Sequence, residues 1–109
     1  YDPEKKAYVP FAEIAARSDQ RLGALPAQAK PWKAVMGMAD KPAFLEAFFR
    51  ELRGLKTLGA DLAKRYGRRA KEIGLELVAE KVAAREEDVN TVLLTGFYHA
   101  YGPVNTYFD

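Results

Sequence analysis

The sequence predicts an all-α protein: a small bundle of about four to five helices in one domain, residues 1–109, with an extended arm at 1–10 and an aromatic tail at 103–109. Three observations carry that expectation. Apolar residues from Phe44 to Leu77 recur at spacings of three, four or their multiples, the period of an amphipathic helix. Five of the six prolines lie at or before Pro42 and the sixth is Pro103, so the residue that most disrupts helix interiors is absent between them. Apolar residues make up 49% of the chain and charged ones 29%, a globular composition in a length that suits one core rather than two.

Each element follows from local chemistry. Pro3 and Pro10 keep residues 1–10 out of a helix. A first helix is expected from Phe11 to Leu22, with Phe11, Ile14, Ala15 and Leu22 on one face and Gly23 ending it. A short helix follows between Ala27 and Met38, starting near Pro31, with Trp32, Val35 and Met36 turned inward. Asp40 is a natural N-cap with Pro42 in the first turn beyond it. From there Phe44, Phe48, Leu52, Leu55, Leu62, Tyr66, Ile73 and Leu77 fit either one very long helix or two broken near Gly67. Gly59, Ala63, Gly67, Ala70 and Gly74 form a second stripe, of the kind that lets a neighbouring helix approach closely. The last helix is expected to start at Glu86 or Glu87, where three acids favour a helix N-terminus, and to end at Gly102-Pro103. A strand through Thr91–Tyr101 is the alternative, because that stretch is rich in β-branched and aromatic residues.

Composition also excludes whole classes of chemistry. The chain has no cysteine, which removes disulfides, thiolate zinc sites and cysteine nucleophiles and fits a reducing, cytoplasmic setting. It begins at Tyr1 rather than Met, which leaves room for upstream residues, a targeting segment among them. The longest uncharged run, Val89–Phe108, carries Asn90, Thr91, Thr95, His99, Pro103, Asn105 and Thr106, too polar for a membrane span. Net charge is +2, from 17 Lys and Arg against 15 Asp and Glu, without the overall basic excess of most nucleic-acid binders.

Two surfaces stand out. The first is basic: Lys64, Arg65, Arg68, Arg69 and Lys71 place five cations within eight residues, able to hold phosphates or an acidic partner, or simply to form a solvated helix face paired with Asp61 and Glu72. The second is the C-terminal stretch, where Phe97, Tyr98, Tyr101, Tyr107 and Phe108 supply five of the 13 aromatic residues. Aromatic rings with polar handles suit a surface that buries against a protein partner, and the same rings could instead close the domain's own core.

The string Val78–Leu93 resembles the helix-turn-helix family, with Ala79 in a first helix, Ala83 at the turn, and Val89 and Val92 in a second. The resemblance implies that the second helix enters the major groove of DNA. Its early positions here are Glu86, Glu87 and Asp88, which phosphates repel, and the usual turn glycine is missing.

No catalytic constellation can be assembled. His99 is the sole histidine and Ser18 the sole serine, and no acid lies three or four residues from His99. Glu76 and Glu80 are spaced i, i+4, but no Glu-x-x-His accompanies them, and no phosphate loop, nucleophile elbow or dinucleotide fingerprint is present. The expectation is therefore a non-catalytic helical interaction module without metal or cofactor: an accessory subunit or oligomer building block that binds protein partners or itself. The alternative is a nucleic-acid-binding or regulatory protein using Lys64–Lys71 and the hairpin.

Overall fold

A computed structural model describes all 109 residues and is all-α. Helices α1 (Phe11–Leu22), α2 (Trp32–Met36), α3 (Lys41–Gly54), α4 (Leu58–Ala79) and α5 (Glu86–Thr91) follow in order, and α5 runs on into a π-helical turn, Val92–Gly96. No strand forms, through Thr91–Tyr101 or elsewhere. No helix is long and apolar enough to cross a membrane.

Local signals explain the first half. Gly23 ends α1 with φ 87°, and its missing side chain leaves room for Thr57, whose Cγ2 would lie 2.7 Å from a Cβ there. Asp40 stands at the N-cap of α3 with Pro42 in the first turn, although its side chain accepts no capping hydrogen bond. Residues 1–8 are not simply extended. Asp2 and Ala7 exchange backbone hydrogen bonds of 2.8 and 3.3 Å, and the Asp2 carboxylate accepts from the amides of Glu4 and Lys5.

The long periodic stretch is two helices, and they separate at Leu55–Thr57 rather than near Gly67. Leu55 turns extended, and the Thr57 hydroxyl caps α4 by accepting from the Ala60 amide at 3.2 Å. Helix α4 ends at Ala79 in a Schellman-type turn: Val82 N–H donates to Leu77 C=O at 2.9 Å and Lys81 N–H to Val78 C=O at 3.1 Å. Lys81, at φ 60°, occupies the left-handed position where glycine is usual.

The last helix stops at Gly96, six residues before Gly102. A straight helix would carry residue 104 about 21 Å from residue 90, yet Asn90 holds Val104 directly. Its Nδ2 donates to Val104 C=O and its Oδ1 accepts from Val104 N–H, both at 2.9 Å. The chain must therefore reverse. Thr95, whose hydroxyl donates to Thr91 C=O at 2.7 Å, and Gly96 mark where it begins to do so.

The core sits on α3. Phe44, Leu45, Phe48, Phe49 and Leu52 are buried there, joined by Val35 of α2, Ala60 of α4, and Ala100 and Phe108 of the C-terminal segment. Phe49 is its centre, with ring centroids 4.7 to 5.1 Å from Tyr107, Tyr101, Phe108 and Phe48. Of the α2 residues expected inward, only Val35 is fully enclosed; Trp32 and Met36 stay partly exposed.

On α4 the two stripes exchange the roles that periodicity assigns them. The buried face is Ala60, Gly67 and Gly74, while Leu62, Tyr66 and Ile73 face solvent. A Cβ at Gly67 would stand inside the Phe108 ring, and one at Gly74 would lie 2.7 Å from Val104 Cγ2. Gly59 approaches Leu22 of α1. The small residues thus admit mainly the C-terminal segment, which lies along α4 in place of a helix.

Candidate functional site

The aromatic C-terminal residues divide into two groups. Tyr107 and Phe108 do not extend as a free arm: Phe108 is buried and Tyr107 stacks on Phe49 with an interplanar angle of 15°. Tyr101 is half-buried against Phe49 and Trp32. Phe97 and Tyr98 remain on the surface, 67% and 73% exposed. Tyr98 has φ 55°, a left-handed conformation that costs a bulky residue about 1–2 kcal/mol and is imposed here by the chain reversal.

Two of the five basic-cluster residues grip this same segment. Arg68 Nε donates to Phe108 C=O at 3.0 Å, and Lys71 Nζ bridges Asp109 at 2.8 Å. Arg53, on α3, adds a 2.7 Å bond to Tyr107 C=O. Lys64 Nζ reaches Leu55 C=O at 3.4 Å across the α3–α4 turn. Arg69 pairs with Glu72 at 2.9 Å and Glu76 at 3.5 Å, and these carboxylates raise its pKa, the Glu72 hydrogen bond most. Arg65 alone of the five makes no hydrogen bond or ion pair within the chain.

Where the segment crosses α4 it leaves a cleft of about 310 Å³. Its walls are Trp32, Tyr66, Tyr98 and Tyr101; Gly67 and Ala70 form the α4 side, with Leu93, His99, Ala100, Pro103 and Asn105 completing it. The volume is at the small end for ligand pockets, and the lining is mainly aromatic and apolar. Asn105 is already engaged: its Nδ2 donates to Gly102 C=O and Pro103 C=O, and its Oδ1 accepts from Tyr107 N–H. Burial raises the Tyr101 pKa, with the neighbouring Tyr66 and Tyr107 adding to it; burial, then Glu46, raises that of Tyr107.

His99 lines the cleft without a carboxylate among the residues around it. No three acidic or histidine side chains converge as a metal site would require. The Val78–Leu93 string forms a helical hairpin, with Glu86, Glu87 and Asp88 in the first turn of α5 and Asp88 bridged to Arg85 at 3.2 Å.

Sequence reasoning did not single out Trp32, Ala70 or Asn105 for this cleft. Its walls come from α2, α4 and the C-terminal segment, so no spacing within one helix signals it. Comparison with protein-family models, curated proteins and solved structures finds nothing that matches this chain.

Proposed function

We propose that the chain is a non-catalytic helical interaction module, an accessory subunit or oligomer building block that binds protein partners through apolar helix faces and the exposed part of its aromatic C-terminus. One observation carries the reading. The chain exposes 8121 Å² of surface, whereas a compact monomer of 12.2 kDa exposes about 6,100 Å². The excess of about 2,000 Å² is more than the roughly 800 Å² that one partner contributes to a standard interface. The radius of gyration, 16.5 Å, agrees, against about 13 Å for a compact domain of this length. Large apolar and aromatic side chains lie on that surface, among them Tyr8, Phe11, Leu25, Tyr66, Phe97 and Tyr98.

The nucleic-acid reading lacks comparable support. Four of the five cations already have partners within the chain, and the carboxylates of α5 stand where base readout would be needed.

The test is the purified chain's mass by light scattering together with binding of an apolar-surface dye. A mass above one chain, or dye binding that falls in a F97S/Y98S variant, supports the proposal. A monomer at every concentration that binds no dye sinks it.

A further inference from the structure

Helix α4 carries an apolar seam on the side away from its buried glycines, and the chain leaves it partly uncovered. Leu58, Leu62, Tyr66 and Ile73 are 45%, 44%, 73% and 44% exposed. At 100° per residue they fall within an arc of about 80°. Beside this seam two arginines precede two glutamates along the helix: Arg65 and Arg69, then Glu72 and Glu76.

That order is self-complementary. In a two-fold symmetric interface, whatever residue i meets on residue j, residue j meets on residue i. We propose that α4 pairs with α4 of a second copy of this chain, antiparallel, with the two-fold axis passing between Ala70 and Lys71. Arg65 then faces Glu76 of the second copy and Arg69 faces Glu72, each pair occurring twice. Tyr66 and Ile73 of the two seams close over one another at the centre. A parallel pairing would instead set arginines on arginines and glutamates on glutamates, so the charge pattern selects the antiparallel arrangement.

Two further observations agree. The bridges that Arg69 makes to Glu72 and Glu76 within its own helix link side chains 59–61% exposed, so they hold little energy and can extend to a facing helix. The surplus exposed surface of about 2,000 Å² leaves ample area for the roughly 800 Å² per partner of a standard interface. This proposal rests on the interaction-module reading and names its partner.

Charge exchange in the full chain tests it. Light scattering should give the wild type twice the 12.2 kDa chain mass. The R65E/R69E variant makes all four of these positions acidic and E72R/E76R makes all four basic, so each alone should run as a monomer. Mixed in equal amounts they should recover the two-chain mass, and the fourfold exchange should recover it by itself. All four side chains are exposed, and circular dichroism checks that the variants keep their helices.

A spin label at L62C, unique in a chain without cysteine, should report roughly 25 Å between copies, against about 10 Å for a parallel pair. Double variants that still dimerise, a mixture that stays monomeric, or the short label distance would each overturn the pairing. A one-chain wild-type mass with strong dye binding overturns the homodimer and leaves the interaction-module reading standing. The same mass without dye binding ends both.

Discussion

Helix α1 runs regularly for twelve residues and buries none of them. The segment from Phe97 to Asp109 contains no helix, yet Ala100, Gly102 and Phe108 are buried and Phe108 packs against both α3 and α4. Regularity and burial come from different sources. The first needs only local boundary residues and a run without helix breakers, both present between Pro10 and Gly23. Burial needs partners, and the C-terminal segment has them: a glycine face to lie on, Asn90 to clasp Val104, and Arg53, Arg68 and Lys71 to hold its end.

The largest effect should come from Phe108→Ala. Removing this ring opens a cavity between Phe49 and Gly67 and should cost about 3–5 kcal/mol, read as a drop in urea midpoint at unchanged m-value. A loss near zero would mean that the segment is not part of the core and would erase the contrast with α1. Gly67→Ala attacks the same contact from the helix side. The new methyl collides with the ring, so despite the better helix propensity of alanine the variant should lose about 1–3 kcal/mol.

How far these features could be read from the residues depends on how far apart their causes lie. The start and stop of α1 were legible because Pro10 and Gly23 adjoin them. The α3–α4 break was local too, in Gly54 and Thr57, but an apolar period running across it outweighed a single cap. The end of α4 was hidden because Lys81 takes a position that glycine usually marks. The end of the last helix is not legible in the residues beside it, because its cause, the clasp between Asn90 and Val104, spans 14 residues. The five-cation cluster was visible as a cluster. Its use was not, since Arg68 and Lys71 find partners 40 and 38 residues away.

Asn90→Ala tests that clasp. It leaves both polar groups of Val104 without their partner in a half-buried site and should cost about 1–3 kcal/mol. Loss of amide protection confined to residues 97–109 would locate the effect. A smaller change is expected at alkaline pH. The raised pKa of Tyr101 reflects burial first, so its neutral form stabilises the fold fully below the ordinary tyrosine value near 10. That contribution is lost as pH rises through the higher folded value. Ultraviolet titration should show Tyr101 and Tyr107 ionising above the ordinary tyrosine value, and Tyr101→Phe should weaken the alkaline loss of stability.

The smallest effect should come from α1. Phe11 is 73% exposed, so Phe11→Ala removes almost no packing from the chain itself. Its stability should change by no more than about 0.5 kcal/mol, within the range of an ordinary surface substitution. The measurement needs two protein concentrations. If the loss is larger and grows with concentration, α1 is covered in the associated state, and the variant weakens association rather than the fold. If the loss is larger and independent of concentration, α1 packs within the chain more closely than its exposure allows, and a regular exposed helix and an irregular buried segment differ less than their burial implies. A null result at both concentrations, beside a loss of several kcal/mol for Phe108→Ala, would fix that difference at its full size.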